Sequence, residues 1–113
     1  MSLEEFIIWV YCWVDENTAE VLGVCALFND GHDTYELARM AVSPAHHGKG
    51  LANTLMDAAF NKLAEINAGK VYLISNTKLK SAIHLYKKYK FVTTHEGPHE
   101  KYSRADIVME RIL

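Results

Sequence analysis

Residues 46–52 read HHGKGLA, which places Gly48 and Gly50 around Lys49 just ahead of an apolar, helix-patterned run. That arrangement suits one kind of chemistry. The first turn of a helix carries backbone N–H groups without intrahelical partners and a partial positive charge. Glycines in front of it remove the Cβ atoms that would hold a phosphate away from the backbone. HHGKGLA therefore fits a pyrophosphate cradle, and it fits equally a strand-to-helix turn whose glycines serve geometry alone. The nucleotide motifs G-x-x-x-x-G-K-S/T and G-x-G-x-x-G do not occur. His95 and His99 stand four apart, a spacing that ligates metal on a helix. They flank the turn pair Gly97-Pro98, so no metal site is expected there. Lys78, Lys80, Lys87, Lys88 and Lys90 form a basic run whose simplest role is a solvated helix face.

The elements that must position these residues follow from periodicity. Phe6–Val14 is rich in β-branched and aromatic residues and predicts a strand, ended by the polar turn DENTAE. Trp9, Tyr11 and Trp13 share one face of it, as core or as an apolar contact surface. Val21–Phe28 predicts a second strand, joined through NDGHD to a third over Tyr35–Val42. Short turns between three strands imply an antiparallel meander. A helix is expected from about Gly50 to Asn67, with Leu51, Leu55, Ala59, Leu63 and Ile66 on one face and Gly69 as its stop. VYLIS, residues 71–75, predicts a buried strand. A second helix is expected from about Thr77 to Tyr89, with Leu79, Ala82, Ile83 and Tyr86 in register, then strands near Phe91–Thr94 and Asp106–Ile112. The order β-β-β-α-β-α-β-β is one mixed α/β (α+β) domain spanning residues 1–113.

Composition narrows the function classes. The chain has 113 residues, half of them hydrophobic and 23% charged, enough for one modest core and too few for two. A net charge of −2 gives no global field to recruit nucleic acid or anionic lipid. The run Phe6–Val14 is about half the roughly 18–20 residues a membrane-spanning helix needs. It has no basic leader and is not read as a signal peptide. Cys12 and Cys25 lie in apolar strands and are expected as reduced thiols in the cytoplasm.

Two segments at the right separation resemble the GNAT superfamily of N-acetyltransferases. The family motif Q/R-x-x-G-x-G/A, following a strand that ends near Val and Pro, corresponds to His47-Gly48-Lys49-Gly50-Leu51-Ala52 after MAVSP. The companion motif A-I/L-x-L/F-Y-x-x-x-G-F corresponds to AIHLYKKYKF, residues 82–91. The resemblance covers residues 21–113 in order. It departs from the family at His47, where Gln or Arg is usual, and at Lys90, where glycine is usual. Lys90 implies a turn that avoids positive φ, or a strained one. The strand and two helices that usually precede the segment matching Phe6–Val14 have no counterpart.

The resemblance implies acetyl-CoA as cosubstrate, without a metal, and a primary amine of a small molecule or peptide as acceptor. Met40, Ala41 and Val42 would bind the pantetheine arm through backbone groups, and His47, Gly48, Lys49, Gly50, Leu51 and Ala52 would hold the pyrophosphate. Asn76 joins this cofactor-binding set. Tyr86 matches the tyrosine near the thioester sulfur and would protonate the departing thiolate; the alternative is plain core packing. Glu36 matches the strand carboxylate that serves as general base in part of the family; the alternative is an exposed strand charge. A lysine of the basic run could instead contact the ribose phosphate. The implied reaction is direct attack of a neutral amine on the thioester, with a non-catalytic acyl-CoA-binding or interaction module as the competing reading. The edge strand Phe6–Val14, without its usual neighbour, points to a homodimer.

Overall fold

A computed structural model of the chain describes residues 7–14, 17–43, 50–98 and 104–113. Six strands form one mixed sheet: β1 (Ile7–Val14), β2 (Val21–Gly31), β3 (Thr34–Val42), β4 (Lys70–Ser75), β5 (Val92–Glu96) and β6 (Ile107–Ile112). Helix α1 (Leu51–Glu65) follows β3 and helix α2 (Lys80–Lys88) follows β4, in the order the sequence predicts. In space the strands run β1-β2-β3-β4-β6-β5.

The first three strands are the expected antiparallel meander. β2 runs on to Gly31, and the turn into β3 is only His32-Asp33, at φ 54° and 60°. Two successive positive φ values make the tight hairpin turn that matches strand twist. Further along, Ala26 pairs with Arg39 and Leu27 with Leu37, so Ala38 is an extra residue in β3. This bulge resets the alternation of faces. Leu37 before it, and Met40 and Val42 after it, all pack toward one core.

That core lies between one face of the sheet and both helices. α1 buries Leu55, Met56, Ala59 and Leu63, and α2 buries Tyr86, against Cys25, Leu27, Val71, Leu73, Ile107 and Met109. β4 is buried on this face only. Tyr72, between buried Val71 and Leu73, stays half-exposed on the other side, so VYLIS is not the fully buried strand its apolar run suggests. Leu51 and Ile66 are half-buried and Leu79 is 56% exposed, which shortens the predicted apolar stripes at their ends.

Both helices close their C-termini with the same bond pattern. In α1, Ala68 N–H donates to Leu63 O (3.0 Å) and Asn67 N–H to Ala64 O (3.2 Å), with Asn67 left-handed at φ 56°. The stop is thus Asn67 rather than Gly69, because an asparagine side chain tolerates this conformation. Gly69 serves close packing instead, since a Cβ there would come within 3.3 Å of Asp33 Cβ. In α2, Phe91 N–H donates to Tyr86 O and Lys90 N–H to Lys87 O, both at 3.0 Å. Lys90 takes the left-handed position at φ 71°, the strained form of this turn. Phe91 is drawn into the core edge-on to Tyr86, 6.0 Å between ring centroids, so β5 begins one residue later than expected.

α2 also starts later than expected, at Lys80 rather than near Thr77. The carboxylate of Asp106 accepts from Thr77 N–H and from Thr77 Oγ1, both at 2.7 Å. Lys78 N–H donates to Asn76 Oδ1 (2.8 Å), and Leu79 N–H donates to Asn76 O (3.0 Å). These bonds hold residues 76–79 as a turn and leave no first helical turn at Thr77. They also hold the Asp106 carboxyl below its usual range, the Thr77 hydroxyl contributing most.

Candidate active site

β3 and β4 are parallel neighbours for only three residue pairs, Thr34–Lys70, Tyr35–Val71 and Glu36–Tyr72. Past Glu36, β3 continues to Val42 along β2 alone, so the sheet opens between its two halves. At the helix-side mouth of this opening lies a groove of about 980 Å³. Its walls are Met40–Val42 of β3, Gly50–Asn53 at the start of α1, and α2 with its leading turn, from Lys78 to Lys88.

Gly50 is the N-cap of α1, at φ 78° and ψ 7°. Among the described residues no side chain caps this end, and no carboxylate occupies its first turn. A Cβ at Gly50 would meet nothing within 4 Å among the described residues, so glycine leaves open space at the helix mouth. The start of α2, at Leu79, likewise has no side-chain cap or first-turn acid. An open helix N-terminus facing a groove, with no carboxylate to compete, fits an anionic phosphate chain. The apolar flank of Met40, Val42, Leu51, Leu79 and Leu85 fits the uncharged remainder of a long thiol ester.

Tyr86 lines the groove from within the core and is 7% exposed. Among the described residues its hydroxyl has no hydrogen-bond partner. Burial raises its pKa, which keeps the phenol protonated and able to donate. Its ring packs on Phe91 and its side chain borders the groove, so core packing and access to the groove coexist at this position.

Glu36 occupies the last β3–β4 pair, beside the opening, on the sheet face opposite the helices. The Tyr72 hydroxyl lies 3.1 Å from Asp30 Oδ2 and 3.4 Å from Glu36 Oε1. One phenolic proton serves two carboxylates there. Burial first, and then the two negative charges, push the Tyr72 pKa well above its ordinary value. Glu36 and Tyr86 thus lie on opposite sides of the sheet, Tyr86 on the side that the helices cover.

Of the cofactor set expected from the sequence, Met40, Ala41, Val42, Gly50, Leu51, Ala52 and Tyr86 come together around one groove. His47, Gly48 and Lys49 lie outside the described residues. Asn76 does not line the groove; its side chain accepts from Lys78 N–H and donates to Arg104 O. Sequence reasoning passed over Tyr72 and Asn53, as well as the tie between Lys88 and Asn53, where Lys88 Nζ donates to Asn53 Oδ1 at 2.9 Å. Tyr72 had a weak signal, one polar tip in an apolar run. The Lys88–Asn53 bond spans 35 positions and had none. Among the described residues, no group of three His, Cys, Asp or Glu could hold a metal ion. No helix among them is long and apolar enough to cross a membrane.

A sheet parted beside an open helix N-terminus, with a buried tyrosine on the groove, is the architecture of an acyl-CoA-dependent transferase fold. The profile of the acetyltransferase (GNAT) family matches residues 3–91, and the chain belongs to that family. It is 37% identical over 82 residues to YjgM, an uncharacterized N-acetyltransferase of Escherichia coli (strain K12), covering 70% of this chain and 49% of that protein. The chain therefore spans about half the length of the curated relative it matches. Among solved structures it is similar to Ard1 from Thermoplasma volcanium, with a TM-score of 0.76 and 28% identity over 85% of this chain and 66% of that one. A GNAT-family acetyltransferase from Staphylococcus aureus Mu50 shares the fold at a TM-score of 0.83 and 20% identity, over 92% of this chain and 67% of that one. So does the PaiA N-acetyltransferase from Thermoplasma acidophilum, solved in complex with coenzyme A, at 0.75 and 17% over 96% and 62%.

Proposed function

We propose that this chain transfers an acetyl group from acetyl-CoA to a primary amine of a small molecule or protein. The observation that carries the reading is the single groove uniting Met40–Val42, the open start of α1 at Gly50, and buried Tyr86. Gly50, Leu51 and Ala52, with His47, Gly48 and Lys49 ahead of them, would hold the pyrophosphate. Met40, Ala41 and Val42 would align the pantetheine arm along the part of β3 that β4 does not cover, with Asn76 supporting the turn at its far wall. Acetyl-CoA supplies the activated acyl group. The protein orients that group, and the amine attacks its carbonyl directly. Tyr86, kept neutral by burial, donates a proton to the leaving sulfur. Glu36, at the opposite face of the gap, accepts the amine proton, directly or through water.

The test is release of free thiol from acetyl-CoA across a panel of small amines and peptide N-termini. Acceptor-dependent release supports the transferase. Saturable coenzyme A binding without release from any acceptor would instead mark a non-catalytic acyl-CoA-binding or interaction module.

The cytoplasm and a homodimer belong to the same reading. Cys25 is a buried thiol whose Sγ lies 3.6 Å from Leu55 O, a state that a reducing compartment would preserve. Among the described residues β1 is the edge of the sheet, paired with β2 alone, and its sequence IIWVYCWV carries no charge or proline to discourage strand pairing. Two copies joined there would cover the edge. Light scattering at high micromolar concentration should give twice the mass of one chain, and a strictly monomeric mass refutes the dimer.

A further inference from the structure

Resting on the acetyl-CoA reading above, we propose that Lys88 is the cation that receives the cofactor's diphosphate beside the N-terminus of α1. A helix N-terminus offers only about half a unit of positive charge to a ligand that carries more negative charge than that.

Lys88 has the geometry for it. Its Nζ donates to Oδ1 of Asn53, three residues past the Gly50 N-cap, at 2.9 Å. Both residues line the groove together with Gly50, Leu51 and Ala52. A lysine in the last turn of α2 would ordinarily lean back over that helix's carbonyls. Lys88 crosses to α1 instead. The ammonium has three donors and spends one on a neutral amide. Among the described residues no carboxylate pairs with it; the ion pairs there are Lys62–Glu65 and Lys70–Glu110. The nearby Asp57 carboxylate accepts from the Tyr89 hydroxyl at 2.8 Å and forms no ion pair with Lys88. A positive charge held at the positive end of a helix is unfavourable in isolation, and an anion between the two removes the conflict.

The experiment is calorimetric titration of wild type, Lys88→Gln and Lys88→Arg with coenzyme A, 3′-dephospho-coenzyme A and pantetheine, with circular dichroism confirming the folds. Glutamine keeps a donor for Asn53 and loses the charge, so it separates tethering from ion binding. Lys88→Gln should weaken coenzyme A and its dephospho form alike, by roughly tenfold for a lost charge-assisted contact, and leave pantetheine unchanged. Lys88→Arg should restore most of the affinity. Wild-type affinity in Lys88→Gln overturns the proposal and leaves Lys88 as a tether. A loss confined to coenzyme A also overturns it, assigning the charge to the ribose phosphate. So does an equal loss for pantetheine, which marks a change of groove shape. If the wild-type chain binds no coenzyme A, it is the acetyl-CoA reading itself that fails.

Discussion

At their C-termini α1 and α2 satisfy the departing chain with paired backbone bonds, and each sets a side chain in the left-handed region to do so. Asn67 does this at the end of α1 and Lys90 at the end of α2. At their N-termini the same helices have, among the described residues, no side-chain cap and no acid in the first turn. The closed ends surround aromatic packing among Phe60, Tyr86, Tyr89 and Phe91, whereas the open ends share one groove. Stability is concentrated where the chain completes its own hydrogen bonds, and binding capacity where it leaves them for a ligand.

The sharpest way to break this contrast is to close an open end. Gly50→Asp places a carboxylate where the groove offers backbone N–H groups; the left-handed φ strains any side chain, aspartate less than most, and among the described residues its Cβ meets no neighbour. Coenzyme A affinity should fall by roughly 10³-fold through like-charge repulsion, with the fold retained. Undiminished affinity in calorimetry removes the cradle. Next is Tyr86→Phe, which keeps the ring on Phe91 and deletes the hydroxyl on the groove. It should lower kcat by roughly 10²-fold with cofactor affinity nearly unchanged, and wild-type turnover returns Tyr86 to the core. A third test leaves the helix ends for the far face. Glu36→Gln should slow kcat/KM by about tenfold, because an amine already free of its proton needs limited help, and should leave an acidic limb set by the acceptor amine alone. A limb and rate unchanged from wild type clear Glu36 of the role. The smallest effect lies at a closed end. Lys90→Gly relieves a left-handed lysine and should stabilise the fold by about 1 kcal/mol in denaturant titration, without altering coenzyme A binding.

Much of this architecture was legible because period and punctuation are local. Gly50 marks the start of α1 in sequence as in space, and Tyr86 lies on the predicted inner stripe of α2. The misses arose where distant residues intervene. Thr77 looks like a helix start until Asp106, 29 positions away, takes its N–H and hydroxyl. Gly69 is the obvious stop for α1, yet Asn67 performs it and Gly69 packs closely against Asp33. For the site, glycine spacing and the AIHLYKKYKF helix identify the ligand-facing backbone. They are silent on the partners that orient it, since Lys88 and Asn53 meet only once two helices lie side by side.

The three pairs joining β3 to β4 have a mechanical consequence. They make a narrow seam between two stiffer plates, one of β1, β2 and β3 and the other of β4, β6 and β5, each knitted by longer antiparallel ladders. Bending of the sheet should concentrate at that seam; α1 packs on the first plate and touches the second through Phe60, whose ring lies under Arg111. A ligand lodged in the gap acts as a splint. In deuterium exchange the β3 amides facing the gap beyond Glu36 should trade protons quickly in the bare chain and slowly once the splint is in place.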